Sequence, residues 1–252
     1  MTAVKKPKIS LFFPVFMIVA CPYIAGTLSL LLGVSPSLSL AIALAIAAPP
    51  ASGNAAVARM LGLSPSLSLV TTIASMLLAP FTAPLILKIF DPTSSITLDP
   101  YGLALRLITL LASCIAITVV LRRIAKEKII KNRIAIDGIV ICALLIFACG
   151  TMSDMQALII NEPQVVLSTI FLAYAINTTL QIAGFIAFPG NLNDRLTMAL
   201  TCGNRNIGLL WAVLGTSITP SIALFFACSQ LPIYTMPKII HFVFSRIKRL
   251  TP

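Results

Sequence analysis

Acidic residues are scarce in this chain of 252 residues: seven Asp and Glu stand against 18 Lys and Arg, with one His and one Trp. Charged residues make up only 10%, where soluble domains carry about a quarter. A soluble fold of this size could not be coated with so few. The six cysteines (Cys21, Cys114, Cys142, Cys149, Cys202 and Cys228) all lie in apolar stretches and form no Cys-x-x-Cys pair. Neither a disulfide framework nor a zinc centre is indicated, and small side chains in a packed interior are the simpler reading. No nucleophile–base pair or metal-ligand cluster stands out, so no enzymatic activity and no resident cofactor are expected. The prolines and glycines are scattered rather than clustered, which excludes a low-complexity linker.

What the chain does have is apolar residues, at 58%, and a mean hydropathy of +1.02. That is the composition of an integral membrane protein. A spanning helix takes about 20 apolar residues, so the length holds roughly eight spans and leaves no room for a soluble catalytic domain. The net charge of +11 raises the question of nucleic acid. However, the basic residues sit beside apolar runs, as cytoplasmic loops do, and the lipid bilayer is the expected partner. Lys5, Lys6 and Lys8 precede a stretch that continues to about Leu32, too long for a signal-peptide core and read as a first span.

Eight apolar segments can be bracketed, at 10–32, 36–61, 65–90, 101–121, 134–153, 163–188, 194–215 and 217–243. Strict alternation puts Lys5, Lys6, Lys8, Arg59, the run from Arg122 to Arg133, Arg195 and the basic tail from Arg246 on one side. Asp91, Asp99, Asp154 and Glu162 fall on the other. The positive-inside bias makes the first side cytoplasmic, with both termini there and the protein in the cell (inner) membrane. The organisation expected is a cytoplasmic N-terminus (1–9), core helices of a first half (10–90) and panel-type helices (101–153) with a basic loop at 122–133. Core helices of a second half (163–243) and a cytoplasmic tail (244–252) complete it. Two turns are nearly the same, Gly33-Val-Ser-Pro-Ser-Leu-Ser-Leu40 and Gly62-Leu-Ser-Pro-Ser-Leu-Ser-Leu69. Each offers a glycine to end one helix, then a serine N-cap and a proline at the first position of the next.

Two segments cannot run as unbroken helices. Pro49 and Pro50, followed by Gly53, remove two backbone donors and push the preceding residues out of helical geometry. A second half-helix would start at Ser52, which would cap it. In Thr201-Cys-Gly-Asn-Arg-Asn-Ile-Gly208, three polar side chains (Asn204, Arg205 and Asn206) interrupt an apolar stretch. An arginine at a helix centre costs about 2.5–3.5 kcal/mol on insertion scales. Interrupted segments in both halves point to a transporter's binding site, so Asn54, Asn204, Arg205 and Asn206 are the first candidates to line it. Ser68, Thr72 and Ser75 share a helix face, and Asn177 has Gln181 one turn on. Site lining and helix-packing glue are both open for these hydroxyls and amides. Ser52, Ser68, Thr72 and Asn177 are the second rank of candidates, while Ser229 and Gln230 read as packing contacts.

The Pro49-Pro-Ala-Ser-Gly-Asn54 break, the span from Ser68 to Pro84 and the Gly203-Asn-Arg-Asn-Ile-Gly-Leu209 break together resemble the bile acid:sodium symporter family. The resemblance covers almost the whole chain in order. It implies an all-α inverted-repeat transporter with two broken helices crossing at mid-membrane. Our eight spans would correspond to family helices three to ten, a short form lacking the first two. It also implies sodium, near Ser52 and Asn54 and the hydroxyls of Ser68 and Thr72. However, a family glutamate falls on Thr201, a glutamine on Arg205, and a second-site glutamine on Met17. Sodium is therefore not expected at its usual sites. The function expected is secondary transport of a small organic anion, with a homo-oligomer possible. Alternatives are a non-transporting remnant or a membrane subunit needing a partner, and oxyanion or arsenite efflux, for which Cys202 offers a thiol.

Overall fold

The computed structural model describes residues 12–91, 99–152 and 155–250. Helices account for nearly all of them, and among the described residues the only extended pairing is an isolated antiparallel bridge between Pro50 and Arg205. In chain order the helices are α1 (Phe12–Leu31), α2 (Pro36–Ala47), α3 (Asn54–Met60), α4 (Pro65–Phe90), α5 (Pro100–Lys131) and α6 (Arg133–Met152). They continue with α7 (Met155–Asn161), α8 (Pro163–Ala187), α9 (Leu192–Gly203), α10 (Ile207–Leu214) and α11 (Pro220–Leu250). Four of these, α1, α4, α5 and α8, are long and apolar enough to cross a bilayer.

Each break expected from the sequence splits its segment in two: α2 stops at Ala47 and α3 starts at Asn54, while α9 stops at Gly203 and α10 starts at Ile207. The twin turns also form as expected at the glycines, with φ +78° at Gly33 and +64° at Gly62, and Pro36 and Pro65 open the next helices. Their serines part company. Ser35 Oγ accepts from the Leu38 amide and caps α2, whereas Ser64 makes no cap. Its hydroxyl donates instead to Asp194 Oδ1 at 2.8 Å, and its amide donates to Thr197 Oγ1. An available carboxylate on α9 outcompetes the local backbone, because a charge-assisted bond is roughly twice as strong as a neutral one.

Three expectations need correction. Ser52 does not cap α3; Gly53 holds that position, with no side-chain cap, and Ser52 is exposed. The basic stretch at 122–133 is not mainly a loop, for α5 continues to Lys131 with one bend at Ala125 (φ −128°, ψ 22°). Its Arg, Lys, Glu and Ala residues are good helix formers and no proline or glycine stops them. The gap between the fifth and sixth segments also holds a short helix, α7. The terminal regions 1–9 and 251–252 lie outside the described residues.

Helix α2 sits at the centre, with every residue from Ser39 to Ala47 buried. A helix apolar all round can only be buried by neighbours on every side. By contrast, α5 buries few side chains, chiefly Leu103 and Leu107, and leaves Ile115, Ile117, Val120 and Ile124 exposed. Between α8 and α9 the approach is close: a Cβ on Gly184 would lie 2.6 Å from Cys202 Cβ, and one on Gly203 would overlap the Gln181 side chain. Small residues at such contacts are how apolar helices pack in lipid.

Candidate functional site: the crossing of two broken helices

The breaks meet. The Asn206 amide donates to the Pro49 carbonyl at 2.7 Å, and the Ala51 amide donates to the Asn204 carbonyl at 2.9 Å. Those bonds make the isolated bridge at Pro50 and Arg205. Each break thus satisfies backbone groups that the other exposes, which a helix interrupted in an apolar surround requires. Side chains complete the set. Asn54 Nδ2 donates to the Asn204 carbonyl at 3.0 Å and Asn177 Nδ2 to the Gly203 carbonyl at 2.9 Å, while Gln181 Nε2 donates to Asn177 Oδ1 at 2.5 Å. Asn206 Oδ1 accepts from the Leu209 amide and caps α10.

Arg205 is 3% exposed. Its Nη1 donates to the Ala48 carbonyl at 3.4 Å and its Nη2 to the Met17 carbonyl at 3.1 Å, with Cys202 Sγ at 3.6 Å. These partners are two carbonyls and a thiol, none of them a carboxylate. The Ala48 carbonyl belongs to the C-terminal end of α2, where the helix dipole favours a cation. The Met17 carbonyl is presented by a local defect: residues Phe16–Ala20 form a π turn, and the Cys21 amide bonds Phe16. The next π-register donor would be Pro22, which has no N–H, so Met17 is left an acceptor without a main-chain donor from that position. The guanidinium fills that role. Among the described residues its Nε has no partner, nor does Asn204 Oδ1.

Beside the crossing lies a cavity of about 400 Å³, within the range that accepts a small ligand. Of the candidates from the sequence, Ser52, Asn54, Asn204, Arg205 and Asn206 line it, along with Ile207 and Gly208 at the start of α10. The first amides of a helix have no intrahelical acceptor and carry the positive end of its dipole. Ser68, Thr72 and Asn177 are not in its wall. Ser68 Oγ pairs with Thr201 Oγ1 at 3.1 Å, and Thr201 donates in turn to the Thr197 carbonyl. Thr72 Oγ1 and Ser75 Oγ are buried without partners on the same α4 face. Asn177 lies on the far side of the break, holding Gly203 in place.

The sequence reading missed Phe147, Ile233 and Tyr234, and took Gln230 for a packing contact; these four close the cavity from α6 and α11. Gln230 carried a signal as a polar residue in an apolar span, and it donates to Thr151 Oγ1 at 3.2 Å. The other three carried none, since nothing local separates a cavity wall from a packing face. Met17 contributes only a carbonyl, to which side-chain chemistry gives no clue. Cys202 is wholly buried and does not line the cavity.

These features define the class: an all-helical protein, with helices suited to a membrane, whose interior is organised around a buried arginine at two interrupted helices. No family model matches the chain, and no curated protein matches it. Function is therefore to be read from the geometry of the crossing.

Proposed function

We propose that the chain is a multi-span secondary transporter that carries a small organic anion by alternating access, with Arg205 acting as a built-in cation where a coupling sodium would otherwise sit. The observation that carries this reading is the guanidinium bonded to the Ala48 and Met17 carbonyls in the interior, with no carboxylate partner among the described residues. Met17 and Arg205 are two of the positions at which the resemblance calls for sodium ligands, and here they bond each other. A sodium ion does not fit beside this group. Two unit charges 4 Å apart repel by about 4 kcal/mol at an effective dielectric of 20, and the carbonyls it would need are taken.

The uncompensated charge leaves the adjoining cavity positive, and the N-terminus of α10 adds to that sign. Asn54, Asn206 and Ser52 supply neutral hydrogen-bonding groups at the wall. Such a site suits a carboxylate or sulfonate small enough for the cavity. On this reading the eight segments span the inner membrane as two inverted halves with cytoplasmic ends. The two breaks then lie near the midplane, where transporters of this design bind substrate.

In proteoliposomes, anion uptake should persist when choline replaces sodium; its loss would defeat sodium independence. Against a panel of carboxylates and sulfonates read by thermal shift, Arg205→Gln should weaken binding at least tenfold, or about 1.4 kcal/mol. Unchanged affinity in a folded variant would leave Arg205 a purely structural residue.

A further inference from the structure

A second arginine lies in an apolar helix, away from the crossing. Arg106 stands six residues past Pro100, the first residue of α5, or about 9 Å along the axis at 1.5 Å per residue. Leu105, Ile108 and Ile115 around it are exposed, as side chains facing lipid would be. Arg106 reaches across to α10, where its Nη1 donates to the Val213 carbonyl at 3.1 Å. That bond uses one of the five guanidinium N–H groups. Among the described residues no carboxylate pairs with it; Asp99, at the start of the same helix, accepts instead from the Gly102 amide. Between the two helices an open cavity of about 470 Å³ is lined by Arg106, Thr109, Leu110 and Ser113 of α5 and by Ala212 and Val213 of α10. Its three polar residues follow one another at i, i+3 and i+7, on one face of α5.

We propose that this cavity holds the phosphate of an anionic phospholipid headgroup, with Arg106 as its counter-charge. Val213 occupies Nη1, which leaves the Nε and Nη2 edge of the guanidinium for two phosphate oxygens, a geometry that arginine offers such groups. A cation this near the start of an apolar helix is matched by a partner or reaches for the headgroup layer. A lipid phosphate answers both needs. The wall hydroxyls bond back to their own helix, Thr109 to the Leu105 and Arg106 carbonyls and Ser113 to the Leu110 carbonyl. Either can turn its O–H to a headgroup at the cost of such a bond. Charge sets the choice among lipids: phosphatidylglycerol carries one net negative charge and neutralises Arg106, whereas phosphatidylcholine brings its own cation. The site rests on α5 crossing a bilayer, for which it is long and apolar enough. It uses none of the groups at the crossing, so the transport reading stands or falls separately.

The lone tryptophan, Trp211, directly precedes the wall residue Ala212 and supplies the readout. The full chain is placed in phosphatidylcholine vesicles containing a minor fraction of phosphatidylglycerol with brominated tails. Quenching of Trp211 is compared with that by brominated phosphatidylcholine at the same fraction. The basic residues from Arg122 onward stand at least 16 positions further along α5, about 24 Å away and beyond contact quenching. Phosphatidylglycerol should quench several-fold more effectively, and that preference should vanish in Arg106→Gln. Ser113→Leu, which fills the cavity without touching the Arg106–Val213 bond, should abolish it too, and it decides the matter where Arg106→Gln misfolds. Arg205→Gln should preserve the preference; Ala212 also borders the cavity at the crossing, and a lipid seated there would answer to Arg205 instead. Equal quenching by the two lipids in the parent overturns the assignment, as does a preference that survives in either α5 variant that folds. Its loss in Arg205→Gln overturns it as well, and so does its abolition by millimolar inorganic phosphate, which would make the occupant a free ion.

Discussion

At the first break the chain loses hydrogen-bond donors; at the second it gains them. Pro49 and Pro50 interrupt one helix by subtraction, removing the two main-chain donors that would have continued the α2 ladder. Arg205 and Asn206 interrupt the other by addition, since their side chains bond backbone groups, at Ala48 and Met17 and at the Leu209 amide. The two are complementary. The guanidinium donates to the Ala48 carbonyl at the first break, and the Asn204 carbonyl receives both the Ala51 amide and Asn54 Nδ2. Neither interruption would be tolerable alone in an apolar surround, where each unmatched polar group costs several kcal/mol.

If the second break supplies the first, reversing its charge should do the most damage. Arg205→Glu would set a carboxylate against the Ala48 and Met17 carbonyls, at a cost of about 3 kcal/mol or more. Loss of a monodisperse peak on size exclusion is expected; a variant as stable as the parent would refute the complementarity. Removing the prolines should cost less, because cross-break bonds hold the shape. Pro49→Ala with Pro50→Ala should lower stability by about 1–2 kcal/mol, largely through the freer unfolded chain. A collapse as severe as that of Arg205→Glu would show that the prolines alone keep the first break open.

Smaller changes probe the cavity wall and the turns. Asn206→Ala removes the cap of α10 and should cost about 1 kcal/mol in thermal denaturation. Asn206→Asp should keep that cap yet weaken anion binding by placing a negative charge at the cavity wall. If both variants bind anions alike, the cavity is not the anion site. The smallest effect concerns the twin turns. Ser64→Ala should destabilise more than Ser35→Ala, by a few tenths to about 1 kcal/mol, since it strands a charged partner where Ser35 loses a neutral cap.

Those turns show how far local sequence reaches. Gly33 and Gly62 were legible as helix ends, and Pro36 and Pro65 as helix starts, because positive φ and a missing N–H are properties of the residues themselves. That Ser64 would leave its cap for Asp194 was not legible, since the carboxylate comes from the far half of the chain. The same holds at the site. Asn54, Asn204, Arg205 and Asn206 stood out as polar groups in apolar runs, and they do gather at one cavity. Ser68, Thr72 and Asn177 stood out in the same way, yet they lie behind it. The π turn at Phe16–Ala20 escaped notice because one extra residue in a helical turn hardly changes the apolar pattern.

Hydropathy and backbone chemistry within a few residues are local quantities. They set the helices, the two interruptions and the presence of a cation in an apolar segment without reference to the rest of the chain. Which carbonyls that cation meets is decided only when positions as distant as Ala48 and Arg205, 157 residues apart, are folded together. The desolvation of a guanidinium is too costly to leave unmatched, so its partners follow from the packing that buries it.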